Sequence, residues 1–494
     1  MMKLKGCGLL TATLAFVSGS CLAADFTVPS AETPTLQFAL ESPTTPVNAG
    51  DTITLLDSGF YLSTYTVSIA DLTIKGAEGQ NVVIDGLGLG SVITVSASGS
   101  GLTLENLTIQ GGFDEDGGGI YAEDADLTLI DCTIRDNMAT DDGGGMVVFN
   151  GDAVIVNSRF IDNELMMPNS SDNGGALHIG AGATLDIDGT IFSGNIANNY
   201  GGGIYFNNTT GTVTNCTFEN NTARIGGALG FVSGADPVIF DSIMESNNAT
   251  EDGGAIGSLS AFPTFFRSTI LRNTAVNRGG GVYASGETSN EMSLTNCLIA
   301  KNTAGSSGGG LMAFTGPDID LLNCTIVDNT VTSGIGGGIW DTGTGAGTQI
   351  FNCIVRGNSP DQFPMSGTNN AFDSNVENDL ANNTRIIDVN PMFVDPSNDD
   401  YRLMAGSASI DAGDSNRYST EASPVDLDGN ARAVTVEDSA QMGLPLLGLL
   451  VDHGAYEFQP AGSGPACVAD LTGEGQLNFL DVSAFLAAFA DGCP

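Results

Sequence analysis

Three observations on this 494-residue chain predict an all-β fold, a right-handed parallel β-helix solenoid with a small C-terminal calcium-loop and helix tail. The first is a repeat. Asn137, Asn163, Asn195, Asn221, Asn247, Asn273, Asn302, Asn329 and Asn358 follow one another at 26, 32, 26, 26, 26, 29, 27 and 29 residues. Glycine runs ending at Gly119, Gly145, Gly175, Gly203, Gly227, Gly254, Gly281, Gly310 and Gly338 keep step with them. The second is the period within each unit: apolar residues alternate, as in Leu127-Leu129 and again in Cys132-Ile134, which is the two-residue period of a strand. The third is an exclusion. No i, i+3, i+4 spacing recurs, so helical solenoids of similar period do not fit, and neither does a hexapeptide repeat. Coils of this kind stack at ~4.8 Å, so the nine asparagine-ended units would span roughly 40 Å.

At the amino end, residues 1–23 open on Lys3 and Lys5, run through an apolar stretch from Leu9 to Val17 and close around Leu22-Ala23-Ala24. This is the pattern of a secretory signal peptide. No later segment reaches the ~18 apolar residues of a membrane span, so no transmembrane span is expected. The solenoid is assigned to residues 24–358. Its first part is expected to cap the open coil end, which would otherwise expose apolar core and unpaired strand edges.

Each recurring residue has a physical task in such a coil. Glycine runs allow φ > 0 and let a neighbouring coil approach where a Cβ would clash. Asparagines recurring once per coil tolerate the left-handed conformation and bond amide to amide along the stack. The apolar parity slips by one at Asp131 and its equivalents, which predicts a bend there. Cys132, Cys216, Cys297, Cys324 and Cys353 alternate with Ser158, Thr190, Ser242 and Ser268 at one place in the unit. They are read as an inward stack of small side chains rather than a disulfide set or a metal site, because Cys-x-x-Cys pairs are missing. A Cys297–Cys324 link between adjacent coils is left open.

Gly226 to Leu229 and Gly253 to Ile256, paired with Phe160 to Asn163, Phe192 to Asn195 and Phe218 to Asn221, resemble the repeats of chlamydial polymorphic outer-membrane proteins. That resemblance covers about residues 106–358 and implies a β-helical, adhesive passenger domain. No outer-membrane barrel pattern follows Asn358. Thr27-Val28-Pro29-Ser30, Thr35 to Leu40, Gly50 to Ile53 and Leu72 to Gly76 are similar to the cap and first coils of pectin-lyase-type β-helices.

Residues 359–458 lose the period. Asn390 to Pro396, Tyr401-Arg402-Leu403, Ile410 to Asp414, Asp426 to Asn430 and Gly454 to Glu457 resemble the module that closes many secreted bacterial β-helix proteins ahead of a sorting tail, a choice-of-anchor domain. Asp411, Asp414, Asp426 and Asp428 are read as turn-forming acids, with calcium binding as the alternative. Residues 459–466 form a Pro/Gly/Ser linker.

Residues 467–494 carry the sharpest motif. Asp470, Thr472, Glu474, Asn478 and Asp481 fall at positions 1, 3, 5, 9 and 12 of a loop, Gly475 stands at position 6, and Gln476 offers its carbonyl at position 7. A short amphipathic helix follows, with Phe485, Leu486 and Phe489 on one face. With Cys467 before it and Gly492-Cys493-Pro494 after it, the segment resembles one half of a dockerin repeat. The resemblance implies that these residues bind calcium and that the tail docks on a cohesin-like or sorting partner. It shows one loop where dockerins carry two, and Thr472 and Glu474 depart from the usual residues. Cys467 and Cys493 are candidates for a disulfide.

Composition narrows the function. A net charge of −43, from 58 acidic and 15 basic residues, excludes a nucleic-acid binder, which must neutralise phosphates. The expected partner is a polysaccharide or a cell-surface component, in a secreted protein of the cell exterior or surface. His178 and His453 stand in no catalytic motif and are read as structural. Two acidic features remain. Glu115-Asp116, Asp141-Asp142, Asp172 and Glu251-Asp252 precede glycine runs, which would place Asp116, Asp142 and Asp172 on one corner. Asp136, Asp162, Arg272, Lys301 and Asp328 each precede a ladder asparagine. Paired carboxylates near a cation are what glycoside hydrolysis or lyase chemistry requires, so Asp136, Asp162, Asp142 and Lys301 are the catalytic candidates. The other reading of these acids is a solvated repeat face. Surface binding therefore stands first, with a polysaccharide lyase or glycoside hydrolase as the alternative and a structural adhesin as a third reading.

Overall fold

The structure is a computed structural model describing residues 23–29, 35–41, 46–56, 60–96, 101–166, 172–286, 291–316, 318–342, 347–363, 370–377, 385–414, 425–432 and 451–459. Of the expected signal peptide at residues 1–23 all but residue 23 lies outside the described residues, as do the expected calcium loop at Asp470 to Asp481 and Cys467 and Cys493. The rest is the expected all-β solenoid. Sheet 1 has fourteen strands, from Asp25–Val28 to Asn370–Phe372. Sheet 2 has thirteen, from Phe60–Leu62 to Asn375–Val376, and sheet 3 has eleven, from Tyr65–Val67 to Ile339–Asp341. Every pairing within them is parallel between one coil and the next, so the ladders run past Asn358 into a last partial coil.

One coil shows how sequence makes the turn. Asp126–Ile130 lies in sheet 1, Asp131 bends the chain at φ 53°, and Thr133–Arg135 continues in sheet 2. Asp136 bends it again at φ 53° and is followed by buried Asn137 and the two-residue strand Met138–Ala139. The polar turn Asp141-Asp142 and a glycine run then lead into Met146–Phe149 of sheet 3. The bend expected at Asp131 recurs at Asn157, Asn215, Asp241, Asn296, Asn323 and Asn352, all with positive φ. Asn and Asp fit this conformation because a short polar side chain bonds locally.

Two polar ladders fasten the coils from inside. Each ladder asparagine is buried, and its Nδ2 donates to the Oδ1 of the next, at 3.1 Å from Asn137 to Asn163 and 2.9 Å from Asn195 to Asn221. The same Oδ1 accepts the previous asparagine's backbone N–H, as Asn221 Oδ1 does from Asn195 at 3.0 Å. At the far end Asn358 donates to Gln362 Oε1 at 2.6 Å. In the second ladder the backbone N–H of Cys132 donates to Ser158 Oγ at 3.1 Å, that of Ser158 to Thr190 Oγ1 at 3.2 Å, and that of Cys324 to Cys353 Sγ at 3.2 Å. Cys297 and Cys324 are free thiols, so the link left open above is not made. Each points its sulfur at backbone carbonyls instead, Cys297 at Thr295 O (3.4 Å) and Cys324 at Leu294 O (3.3 Å). Between the ladders the apolar core is continuous, with Phe160, Phe192 and Phe218 stacked at centroid distances of 5.0 and 4.8 Å. The helix Leu36–Glu41 closes the amino end by placing Leu36 and Ala39 in this core.

The closing module lies along the flank of the last coils. Tyr401, Leu403 and Ile410 pack on Leu271, Leu298, Ala300, Val327 and Ile354, the outward residues of sheet 2. At its centre the fully buried Arg432 donates to Asn296 Oδ1 at 2.9 Å, to Asn323 O at 3.3 Å and to Glu457 Oε2 at 3.2 Å. Gly454 N donates to Asn352 O at 2.7 Å. Asn296, Asn323 and Asn352 are three successive bend residues of the solenoid, so the module reads one corner of it. Asp426 accepts from Asn430 N (2.7 Å) and Glu457 N (2.8 Å), and Asp414 pairs with Arg385 at 3.1 Å. Asp426 thus holds a turn and Asp414 an ion pair; among the described residues no three His, Cys, Asp or Glu side chains are grouped to hold a metal ion. Among the same residues no helix is long and apolar enough to cross a membrane.

Candidate functional site

Side chains on sheet 3 alternate between the core and the outer face. The register places one outward row in line, one residue per coil: Tyr121, Val147, His178, Tyr205, Gly230, Gly257, Tyr283, Met312 and Trp340. The turn before the sheet folds back beside this row because a glycine there takes positive φ. At Gly308 (φ 64°) a Cβ would stand 2.7 Å from Met312 Cβ, and at Gly309 it would stand 2.4 Å from Gly337 O of the next coil. Only glycine permits both, so the outward side chains lie down against the turns. Tyr283 and Met312 are buried this way, with Ile225, Leu259, Phe314 and Trp340 around them.

The polar residues of the turns face the row. Asp142 is the centre of one group: its Oδ1 accepts from Asn173 N at 2.8 Å, and its Oδ2 lies 3.0 Å from His178 Nδ1. His178 has Phe149 and Tyr205 edge-on at 5.3 and 4.8 Å. One coil before, Asp116 Oδ1 accepts from Asp142 N at 3.1 Å. Burial, with the charges of Asp142, Asp141 and Glu115 adding to it, pushes the Asp116 carboxyl up to about 6. Burial also raises Asp141, helped by Asp142 and by a hydrogen bond with Asp172. Asp116, Asp142 and Asp172 do meet at one corner, although Asp172 belongs to the row of Asp141 and Asn173 takes the third step after Asp142. Farther along, Arg224 pairs with Glu251 (2.7 Å) over the Tyr200 ring, and Arg278 pairs with Asp252 (2.6 Å) over the rings of Tyr283 and Phe314.

The second acidic feature is laid out differently. Asp136, Asp162, Arg272, Lys301 and Asp328 occupy one column of positive-φ bends before the asparagine ladder. Asp136 and Asp162 are neighbours on successive coils, on the outer surface. Lys301 is six coils from Asp136, or ~29 Å at the strand spacing. Its ammonium donates to Asp399 Oδ1 at 2.6 Å and Pro396 O at 2.7 Å, Arg272 also pairs with Asp399, and Asp328 accepts from Tyr401 Oη at 2.7 Å. The structure thus joins Asp142 to a site, leaves Asp136 and Asp162 together on the surface, and joins Lys301 to the closing module.

From sequence His178 is read only as a structural residue, and the aromatic row is not singled out. A signal was present: aligning the units on their glycine runs puts Tyr121, His178, Tyr205, Tyr283 and Trp340 at one position, just after the inward aliphatic residue.

A stacked parallel solenoid with an aromatic and acidic outer face defines a β-helix protein. Residues 58–250 and 169–326, together more than half of the chain, match the family described as Right handed beta helix region, and the chain belongs to that family. Over 82 residues it is 40% identical to the Probable autotransporter YfaL of Escherichia coli (strain K12), a stretch that is 14% of this chain and only 7% of that protein. Among solved structures it is similar to the alginate lyase from Paenibacillus sp. str. FPU-7, at 16% identity and a TM-score of 0.40 over 55% of this chain and 94% of that one. It is also similar to pectate lyase Pel9A, at 14% identity and a TM-score of 0.33 over 84% of this chain and 89% of that one. A mannuronic acid specific polysaccharide family 6 lyase from human gut microbiota gives 13% identity and a TM-score of 0.33 over 74% of this chain and 92% of that one.

Proposed function

We propose that this is a polysaccharide-binding β-helix protein of the cell exterior that lays a glycan along the outer face of sheet 3. The observation that carries the reading is the row Tyr121, His178, Tyr205, Tyr283 and Trp340, set in register by the strand ladder and flanked by charged turn residues. Tyr121 and Trp340 are partly exposed at the two ends, while His178, Tyr205 and Tyr283 are buried against the turns and form the floor. Aromatic rings bring apolar area with little conformational entropy to lose, and polar groups beside them orient a ligand. Gly230 and Gly257 leave two steps of the row without side chains between Tyr205 and Tyr283. Affinity electrophoresis of the purified protein against a panel of plant, algal and microbial polysaccharides tests it. At least one polymer should retard the protein, and Trp340→Ala and Tyr205→Ala should reduce the retardation. No retardation by any polymer sinks the reading.

In the same proposal the tail attaches the protein outside the cell, binding one calcium through Asp470, Thr472, Glu474, Asn478, Asp481 and the Gln476 carbonyl. Support for this is the loop spacing. Calcium titration of the full chain against an Asp470→Ala, Asp481→Ala variant tests it, and identical heats from the two would overturn it. One contact favours the enzyme reading: His178 Nδ1 at 3.0 Å from Asp142 Oδ2, beside Asp116 with its raised carboxyl. New reducing ends or unsaturated uronate, lost in Asp142→Asn, would establish a lyase or hydrolase.

A further inference from the structure

We propose that the corner around Asp142 and His178 is a site for a primary ammonium group, and that the glycan on this face is one whose amino sugars carry free amines. This rests on the polysaccharide reading and names its ligand class. The corner gathers Glu115, Asp116, Asp141, Asp142 and Asp172 from three successive coils, where the turns enter their glycine runs. The arginines of the same face, Arg224 and Arg278, already pair with Glu251 and Asp252. A uronate or sulfate approaching this corner would be repelled by its carboxylates in a chain of net charge −43, whereas an ammonium would be attracted.

The imidazole is the independent observation. The His178 side chain is only 5% exposed, and its Nδ1 lies 3.0 Å from Asp142 Oδ2. Among the described residues neither ring nitrogen makes a hydrogen bond, and a neutral imidazole carries one nitrogen that can only accept. A buried acceptor without a donor, set among carboxylates, is matched by a group that is both cationic and rich in N–H, and an ammonium offers three donors. The rings around it suit the same charge: Phe149 and Tyr205 flank the imidazole, and Tyr200 stacks on Tyr205 at 6.0 Å. The Asp116 carboxyl is raised by burial first and by the charges of Asp142, Asp141 and Glu115 after it, in keeping with the crowding of carboxylates at this corner. A divalent ion fits less well, since among the described residues no three metal-ligating side chains converge.

The test is isothermal titration of the full chain with glucosamine oligomers, with N-acetylglucosamine oligomers of the same length and with oligogalacturonate, at low and at high salt. The free-amine oligomer should bind at least about tenfold more tightly than the acetylated one and weaken with salt. Asp142→Asn and, separately, Asp116→Asn should remove that preference, each checked for a native circular dichroism spectrum, while Trp340→Ala weakens both oligomers alike. Equal binding of the two oligomers, or preference for the uronate, overturns the ammonium site while leaving the glycan-binding face intact. Calcium that binds at this corner, is lost in Asp142→Asn and displaces the oligomer would make it a metal site and overturn the proposal too. Absence of binding to every glycan sinks this proposal together with the reading beneath it.

Discussion

Replacing Asn221 by alanine removes one rung from the asparagine ladder. Asn221 Nδ2 donates to Asn247 Oδ1 at 3.0 Å and to Phe192 O at 2.9 Å, and its Oδ1 accepts from Asn195 N at 3.0 Å and Asn195 Nδ2 at 2.9 Å. The substitution leaves the buried Asn195 N–H without an acceptor, at about 1–3 kcal/mol, and removes three further bonds at a net of about 0.5–1.5 kcal/mol each. The local cost is therefore roughly 3–6 kcal/mol. A long repeat need not unfold in one step, so the direct assay is native-state hydrogen exchange with peptide resolution. Amides around Asn195 and in Thr217–Glu219 should exchange about 100-fold faster or more, while those beyond Asn329 stay as they were. Asn220→Gly is the control, because Asn220 sits at φ 56° on the outer side of the bend, a conformation glycine takes without strain. Acceleration of less than about tenfold in Asn221→Ala, or equal effects of the two substitutions, would refute the view that the ladder bonds hold the coils together.

The thiols of Cys132 and Cys216, pushed up to about 12 by burial, should resist an excess of alkylating reagent for hours in the native protein and react only in denaturant, as read by peptide mapping. Arg432→Met should release the closing module, since it leaves Glu457 buried without its partner at a cost of about 3–5 kcal/mol; limited proteolysis should then cut within residues 385–459 while the coils survive. Asp452 is fully buried and its carboxyl is pushed up to about 7 by that burial, so the folded module binds a proton there that the unfolded chain gives up near the ordinary carboxyl value. This contribution is present below the unfolded value and is lost as pH rises through about 7. The stability of the wild type relative to Asp452→Asn should accordingly fall between mildly acidic and mildly alkaline pH, and a flat or rising difference in urea midpoints would contradict it.

What could be read from the sequence was whatever the stacking itself demands. Asn137 and its equivalents, the bend at Asp131, the glycine turns and the Cys132–Ser158 ladder must be right in every coil, so they recur and announce themselves. Residues on the outer face obey no such demand: Val147, His178 and Tyr205 hold one structural position with unrelated side chains, and a search for repeats passes over them. The contact of His178 with Asp142 could not be read either, because the two are 36 residues apart and meet only after one coil has closed. The asparagine spacing of 32 in that coil also hid the fact that Asn173, and not Asp172, follows Asp142 in the row. The role of Lys301 was hidden for a different reason. Its partner Asp399 lies in the closing module, where no period says which coil is touched.

The corner that this module grips has a consequence for the length of the protein. Arg432 and Gly454 hold Asn296, Asn323 and Asn352, and nothing in that grip depends on how many coils stand before them. Each earlier coil meets its neighbours through the same few bonds, so one whole unit can be removed or duplicated and the two new neighbours find matching rungs. A cut of a few residues, in contrast, would put every later side chain out of phase. The chain is thus built to change length in whole turns, with the terminal grip unchanged and the outer face lengthened or shortened by one row position at a time.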